Sequence, residues 1–191
     1  MWLLLLLGCT KNTWIQSDSP IIPKISHTTS GNIPENTIEE QVSERQTYEN
    51  KTDGFSLQFP STWTFQEQAY GASVVFSSPT SETDKIKENV AITRTPLNKT
   101  YTVEEYYIIN KERLATQNGY NEIENSIIKI NNLDAKKIIF TSTFEDKKLQ
   151  FEEIFIIDNN FLYTITYTAT QDTFDKYIKK VDKMVASIKI K

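Results

Sequence analysis

Between residues 161 and 170 the chain alternates so regularly that few folds can accommodate it. Phe161, Tyr163, Ile165, Tyr167 and Ala169 fall on one set of positions, and Thr164, Thr166, Thr168 and Thr170 on the other. A period of two puts the sets on opposite faces of a β-strand. One apolar and one hydroxylated face is the signature of an antiparallel sheet with a single buried side, so the threonine face is predicted to be solvated. The segments upstream agree. Ile123–Ile130, Ala135–Phe144 and Leu149–Ile157 read as strands, separated by Asn131-Asn132 and Glu145-Asp146-Lys147, with Asp158-Asn159-Asn160 leading into the alternating strand. Asn and Asp pairs tolerate the left-handed backbone that tight hairpins need.

Shorter strands are predicted earlier. Phe55, Leu57 and Phe59 alternate with Ser56 and Gln58 as far as Pro60; Trp63–Phe65, Ala72–Ser77 and Asn89–Leu97 follow, with a polar loop over 80–88. Thr102-Val103-Glu104-Glu105 is a capping box, in which hydroxyl and carboxylate satisfy the free amides of a helix start. The helix it opens places Val103, Tyr106, Tyr107 and Leu114 on one face and stops at Asn118-Gly119. Asp172 is predicted to cap a second helix with Phe174, Tyr177, Ile178, Val181, Met184 and Val185 at helical spacing, and Ser187–Ile190 to form a short final strand. Strands, helix, strands, helix is an α+β order.

The N-terminal quarter has another character. Residues 1–9 carry an apolar run, Trp2 to Leu7, ended by Gly8 and by Cys9, the sole cysteine. The run is about half of what a bilayer span needs. Leu6-Leu7-Gly8-Cys9 resembles a lipobox, the cleavage and lipidation signal of prokaryotic lipoproteins, with Cys9 as the acceptor of the lipid. No Lys or Arg precedes the run, so an in-frame start upstream of Met1 is expected. Residues 10–47 are rich in Ser, Thr, Asn, Pro and Glu without apolar periodicity, a composition that cannot offset its ordering entropy. They are predicted to form a disordered tether, with a short helix around residues 39–49. His27 falls within this tether. Residues 48–191 are predicted to be the folded domain.

Composition narrows the chemistry. A net charge of -4 and a pI near 5.2 argue against a nucleic-acid partner. One cysteine excludes an internal disulfide. The predicted domain contains neither His nor Cys, so it holds no Ser-His-Asp or Cys-His set. Its glycines, Gly54, Gly71 and Gly119, stand apart, which excludes a phosphate-binding glycine loop. Glu104-Glu105 reads as a helix start. Glu152-Glu153 are strand neighbours that point to opposite faces; they are the candidate for weak, calcium-type metal binding. Trp63 and the tyrosines read as core, and the lysines of the second helix as a solvated face. Asn50-Lys51-Thr52 and Asn98-Lys99-Thr100 are glycosylation sequons, making Asn50 and Asn98 candidate acceptors in a host that modifies secreted proteins. No cofactor and no catalytic residue is expected.

Gly54-Phe55-Ser56-Leu57-Gln58-Phe59-Pro60-Ser61-Thr62-Trp63 resembles the opening of PsbP-like domains, a Phe-rich strand followed by Pro-x-x-Trp. Val75-Phe76-Ser77-Ser78-Pro79, Thr102-Val103-Glu104-Glu105-Tyr106, the strand Leu162–Ala169, Thr173-Phe174-Asp175-Lys176-Tyr177 and the closing Ala186-Ser187-Ile188-Lys189 follow in the family's order. The resemblance spans residues 48–191 and implies an α/β/α sandwich, a central antiparallel sheet flanked by helices. None of the family's metal-linked histidines carries over, which weakens a direct photosynthetic role. The expectation is therefore a non-enzymatic lipoprotein, tethered to the extracytoplasmic face of the cell membrane, whose PsbP-like domain binds or supports a protein partner. The alternative is a small-ligand or metal-binding module, including a photosystem II-associated one.

Overall fold

The computed structural model describes residues 44–79 and 87–191. The signal segment with Cys9, the tether up to residue 43, His27 and most of the polar loop lie outside the described residues.

In chain order the elements are β1 (Arg45–Asn50), β2 (Phe55–Pro60), β3 (Thr64–Glu67), β4 (Val74–Ser77), β5 (Asn89–Pro96), α1 (Val103–Leu114), β6 (Asn121–Ile130), β7 (Leu133–Phe144), β8 (Lys147–Asp158), β9 (Phe161–Thr170), α2 (Phe174–Ala186) and β10 (Lys189–Ile190). Seven strands form one antiparallel sheet in the order β3-β4-β5-β9-β8-β7-β6; β1, β2 and β10 form a second, small sheet with β2 in the middle.

The meander β6-β7-β8-β9 is held in register by its turns. Asn131-Asn132, Glu145-Asp146 and Asn159-Asn160 each have positive φ at both positions. That geometry matches the right-handed twist of a two-residue hairpin. Strand pairs close directly on either side: Ile130 faces Leu133, Phe144 faces Lys147 and Asp158 faces Phe161.

Because β5 pairs with β9 while the chain continues at β6, α1 must cross the sheet to reach the far edge. It packs over β7 and β8. Its core pairs Tyr107 and Leu114 with Ile138, Phe140, Leu149, Phe151, Phe155 and Leu162. The opposite face carries the larger core. There Ile154, Ile156, Tyr163, Ile165 and Tyr167 meet Phe174, Tyr177, Val181, Met184 and Val185 of α2, and Phe55, Leu57 and Phe59 of the small sheet. Trp63 lies beneath α2, edge-on to the Tyr177 ring at 5.8 Å.

The expected antiparallel sheet with two helices is present, but the architecture is sheet-dominated: a small second sheet shares α2's side of the main sheet. Three expectations are corrected. Residues 45–47, assigned above to the tether, are strand. They pair with Pro60, Phe59 and Gln58, and just before them the Glu44 carbonyl accepts from the Ser61 amide at 2.8 Å. Over residues 45–49 this non-local pairing overrides the weak helical signal, whose residues 39–43 lie outside the described ones. The threonine face of β9 is not solvated: α1 and its neighbours cover that side, Thr168 is buried, and Thr164, Thr166 and Thr170 are half-buried. Finally, α2 starts after Thr173, with no side-chain cap, rather than from Asp172.

Candidate functional site

Each helix meets the sheet through its own polar layer, and the two layers differ in how well their charges are served. Beneath α1 the carboxylate of Glu122 on β6 is the hub. It accepts from Tyr107 Oη at 2.9 and 3.0 Å, from Tyr120 Oη at 3.1 Å and from Asn125 Nδ2 at 2.7 Å, and pairs with Lys111 Nζ at 3.1 Å. Burial pushes its pKa up, but the bonds from Lys111, Tyr107, Asn125 and Tyr120 outweigh that and hold it below the ordinary glutamate value. Lys136 on β7 is buried, and its ammonium reaches Glu104 Oε2 at 2.9 Å and Asn125 Oδ1 at 2.8 Å over the Tyr107 ring. Farther along, Arg113 donates to Asn110 Oδ1 at 2.6 Å, and buried Asn110 donates to Glu153 Oε2 at 3.2 Å. These groups are partnered, so the layer orients α1 rather than offering reactive atoms.

Beneath α2 the charges are poorly served. Glu152 on β8 is 1% exposed, and neither carboxylate oxygen has a hydrogen-bond partner among the described residues. Lys137 Nζ stands 3.4 Å from Oε2, an ion-pair distance without hydrogen-bond geometry. Burial, opposed by Lys137 and reinforced by Asp182 and Glu124, pushes the Glu152 pKa up to about 7. Glu88, also buried, accepts from Ser78 Oγ at 2.6 Å through one oxygen, while its other oxygen has no partner among the described residues.

The residues singled out in sequence are therefore dispersed. Glu105 closes the capping box with Thr102. Glu104 turns to Lys136. Glu152 and Glu153 point to opposite faces as expected, Glu152 toward α2 and Glu153 toward α1. Glu152 is not the exposed carboxylate that a strand pair would offer to a metal. Among the described residues no group of three or more His, Cys, Asp and Glu could hold a metal ion. Asn50 is buried, its amide donating to Tyr48 Oη at 3.3 Å and its oxygen accepting from the Asp53 amide at 2.9 Å. Asn98 is exposed in the β5–α1 connection, so of the two sequons it alone presents its amide to solvent.

Sequence reasoning missed Glu88, Asn110, Glu122 and Lys136. A signal existed for Lys136: a lysine between Ala135 and Ile138 in an apolar strand must find a partner if it is buried. It also missed exposed apolar residues on α1 and β6. Ile108 and Ile109 on α1 and Ile123 and Ile127 on β6 are each about half exposed, whereas the other large exposed hydrophobics among the described residues are Phe65 and Tyr70. Among the described residues no helix is long and apolar enough to cross a membrane.

The PsbP family profile matches residues 43–190, and the chain belongs to that family. Solved structures with the same fold are distant in sequence. Cyanobacterial PsbP (CyanoP) from Synechocystis sp. PCC 6803 is 12% identical with a TM-score of 0.58, covering 82% of this chain and 98% of its own. LpqN of Mycobacterium tuberculosis, described as involved in cell envelope biogenesis, is 9% identical with a TM-score of 0.62, covering 77% and 90%. A Pseudomonas aeruginosa protein of unknown function, described as a putative regulator, is 15% identical with a TM-score of 0.56, covering 74% and 94%. No curated protein matches the sequence.

Proposed function

We propose that this chain is a lipoprotein held at the extracytoplasmic face of the membrane through Cys9, whose PsbP domain binds or supports a protein partner without catalysing a reaction. The observation that carries the binding role is the apolar flank of α1 and β6. Four of the six exposed large hydrophobics among the described residues, Ile108, Ile109, Ile123 and Ile127, sit on those two adjoining elements. A hydrogen bond from Tyr107 to Glu122 ties the two together, and Lys136 of β7 bridges Glu104 of α1 and Asn125 of β6. Clustered rather than scattered apolar exposure is what interaction surfaces present. The involvement of LpqN in cell envelope biogenesis and the Leu6-Leu7-Gly8-Cys9 motif support the location.

Two measurements test the reading. Cys9→Ser should move the protein from the membrane fraction to the soluble one and abolish uptake of labelled lipid; a variant that still sediments with membranes overturns the anchor. Photo-crosslinkers at Ile108 and Ile127 in cells should capture one reproducible protein band, while the same probe at Lys179 on α2 should not. Equal capture at all three positions overturns the assignment of the flank.

A further inference from the structure

Glu152 is a buried charge-bearing side chain with no hydrogen-bond donor among the described residues and only one cation, Lys137, at ion-pair distance. It lies in the interior of β8, between Ile139 of β7 and Tyr167 of β9, on the face that α2 covers. The fold treats Glu122 differently, giving that carboxylate four donors. The hydroxyl of Tyr167, the cross-strand neighbour of Glu152, is engaged elsewhere, donating to the Phe174 carbonyl at 3.0 Å at the start of α2. The charged and titratable groups that bear on it are Lys137 from β7, Glu124 from β6, Asp182 from α2 and Tyr167 from β9, with Glu88 beyond Tyr167. One partly exposed lysine thus faces several acids. A buried carboxylate without donors is tolerated as the neutral acid and penalised as the anion.

We propose that Glu152 is a proton-operated catch for α2: with the carboxyl neutral the helix lies closed on the sheet, and ionisation loosens it. The helix is a suitable moving part. It contributes Asp182 to the same cluster, so ionising Glu152 places two negative charges against each other across the helix–sheet interface. It covers the core shared by both sheets. It is also attached to the small sheet by few polar contacts, chiefly Ser187 Oγ, which accepts from the Gln58 amide at 2.8 Å. The sign follows from the raised pKa. The stabilisation is full below the ordinary glutamate value and is lost as pH rises through about 7. A pH-dependent helix on an extracytoplasmic domain would let the environment regulate exposure of the core face of α2.

Amide hydrogen exchange on the full chain tests this. After correction for intrinsic rates, protection of the α2 amides should fall roughly fiftyfold between about pH 5 and about pH 8, while that of the α1 amides stays level. In Glu152→Gln, which mimics the neutral acid, α2 should stay protected throughout, and in Lys137→Gln the fall should start at the same pH but continue to higher pH. Carbon NMR of the Glu152 carboxyl in the wild type gives a second reading that needs no variant. The proposal is overturned if α2 protection is level in the wild type, if Glu152→Gln shows the same fall, if α1 and α2 fall together, or if the Glu152 carboxyl titrates at the ordinary glutamate value.

Discussion

Glu122 and Glu152 are the same side chain on strands of one sheet, and their environments push them in opposite directions. Donors decide which way: Glu122 is met by two tyrosine hydroxyls, an amide and a lysine, Glu152 by a single lysine out of hydrogen-bond geometry. The aromatic residues make a parallel point about burial. Trp63 is 3% exposed beneath Tyr177, and removing so large a side chain leaves a cavity that α2 cannot fill by shifting. Trp63→Ala is expected to cost about 3–5 kcal/mol, read as a drop in urea midpoint. Thr166→Ala should cost only about 1 kcal/mol, because the residue is half-buried and the substitution removes only a hydroxyl and a methyl group. A larger loss for Thr166→Ala than for Trp63→Ala would mean that the α1 side, not the α2 side, holds the principal core.

At the level of elements, α1 depends on its start. Thr102 Oγ1 accepts from the Glu105 amide at 3.1 Å, and the Glu105 carboxylate accepts from the Thr102 amide at 2.7 Å. Thr102→Ala should therefore destabilise the domain by about 1 kcal/mol, with loss of protection concentrated in the first turn of α1. No comparable loss is expected at Thr173, where α2 has no side-chain cap and is held by its apolar face instead. The helices thus rely on different forces: α1 on a cap and a polar layer, α2 on burial.

For the whole molecule, the boundary of the fold can be measured. Pairing of Arg45 with Pro60 and the bond from the Ser61 amide to the Glu44 carbonyl protect the backbone from residue 44 onward. Brief treatment with a nonspecific protease should leave a resistant fragment beginning at or just before Glu44, mapped by its N-terminal mass. A fragment beginning at Tyr48 would show that the first half of β1 frays. The family assignment agrees with the earlier start, its match opening at residue 43.

Much of this arrangement could be read from the sequence, for a local reason. The two-residue Asn and Asp turns, the alternation in β9 and the Thr102–Glu105 box are each encoded within a few residues, and each forms where it is written. What depended on residues far apart could not be read that way. β1 became strand only because β2 lies beside it, and the threonine face of β9 was covered only because the β5-to-β6 connection carries α1 across the sheet. Glu152 could be placed on the face opposite Glu153 by the period of a strand, but whether that face held donors, water or α2 depended on packing. The sequence by itself determined most of the elements, their turns and the family, but not β1. Tertiary structure decided which faces are buried and therefore which carboxylate is kept charged, because desolvation and hydrogen bonding depend on neighbours that the chain brings together only when folded.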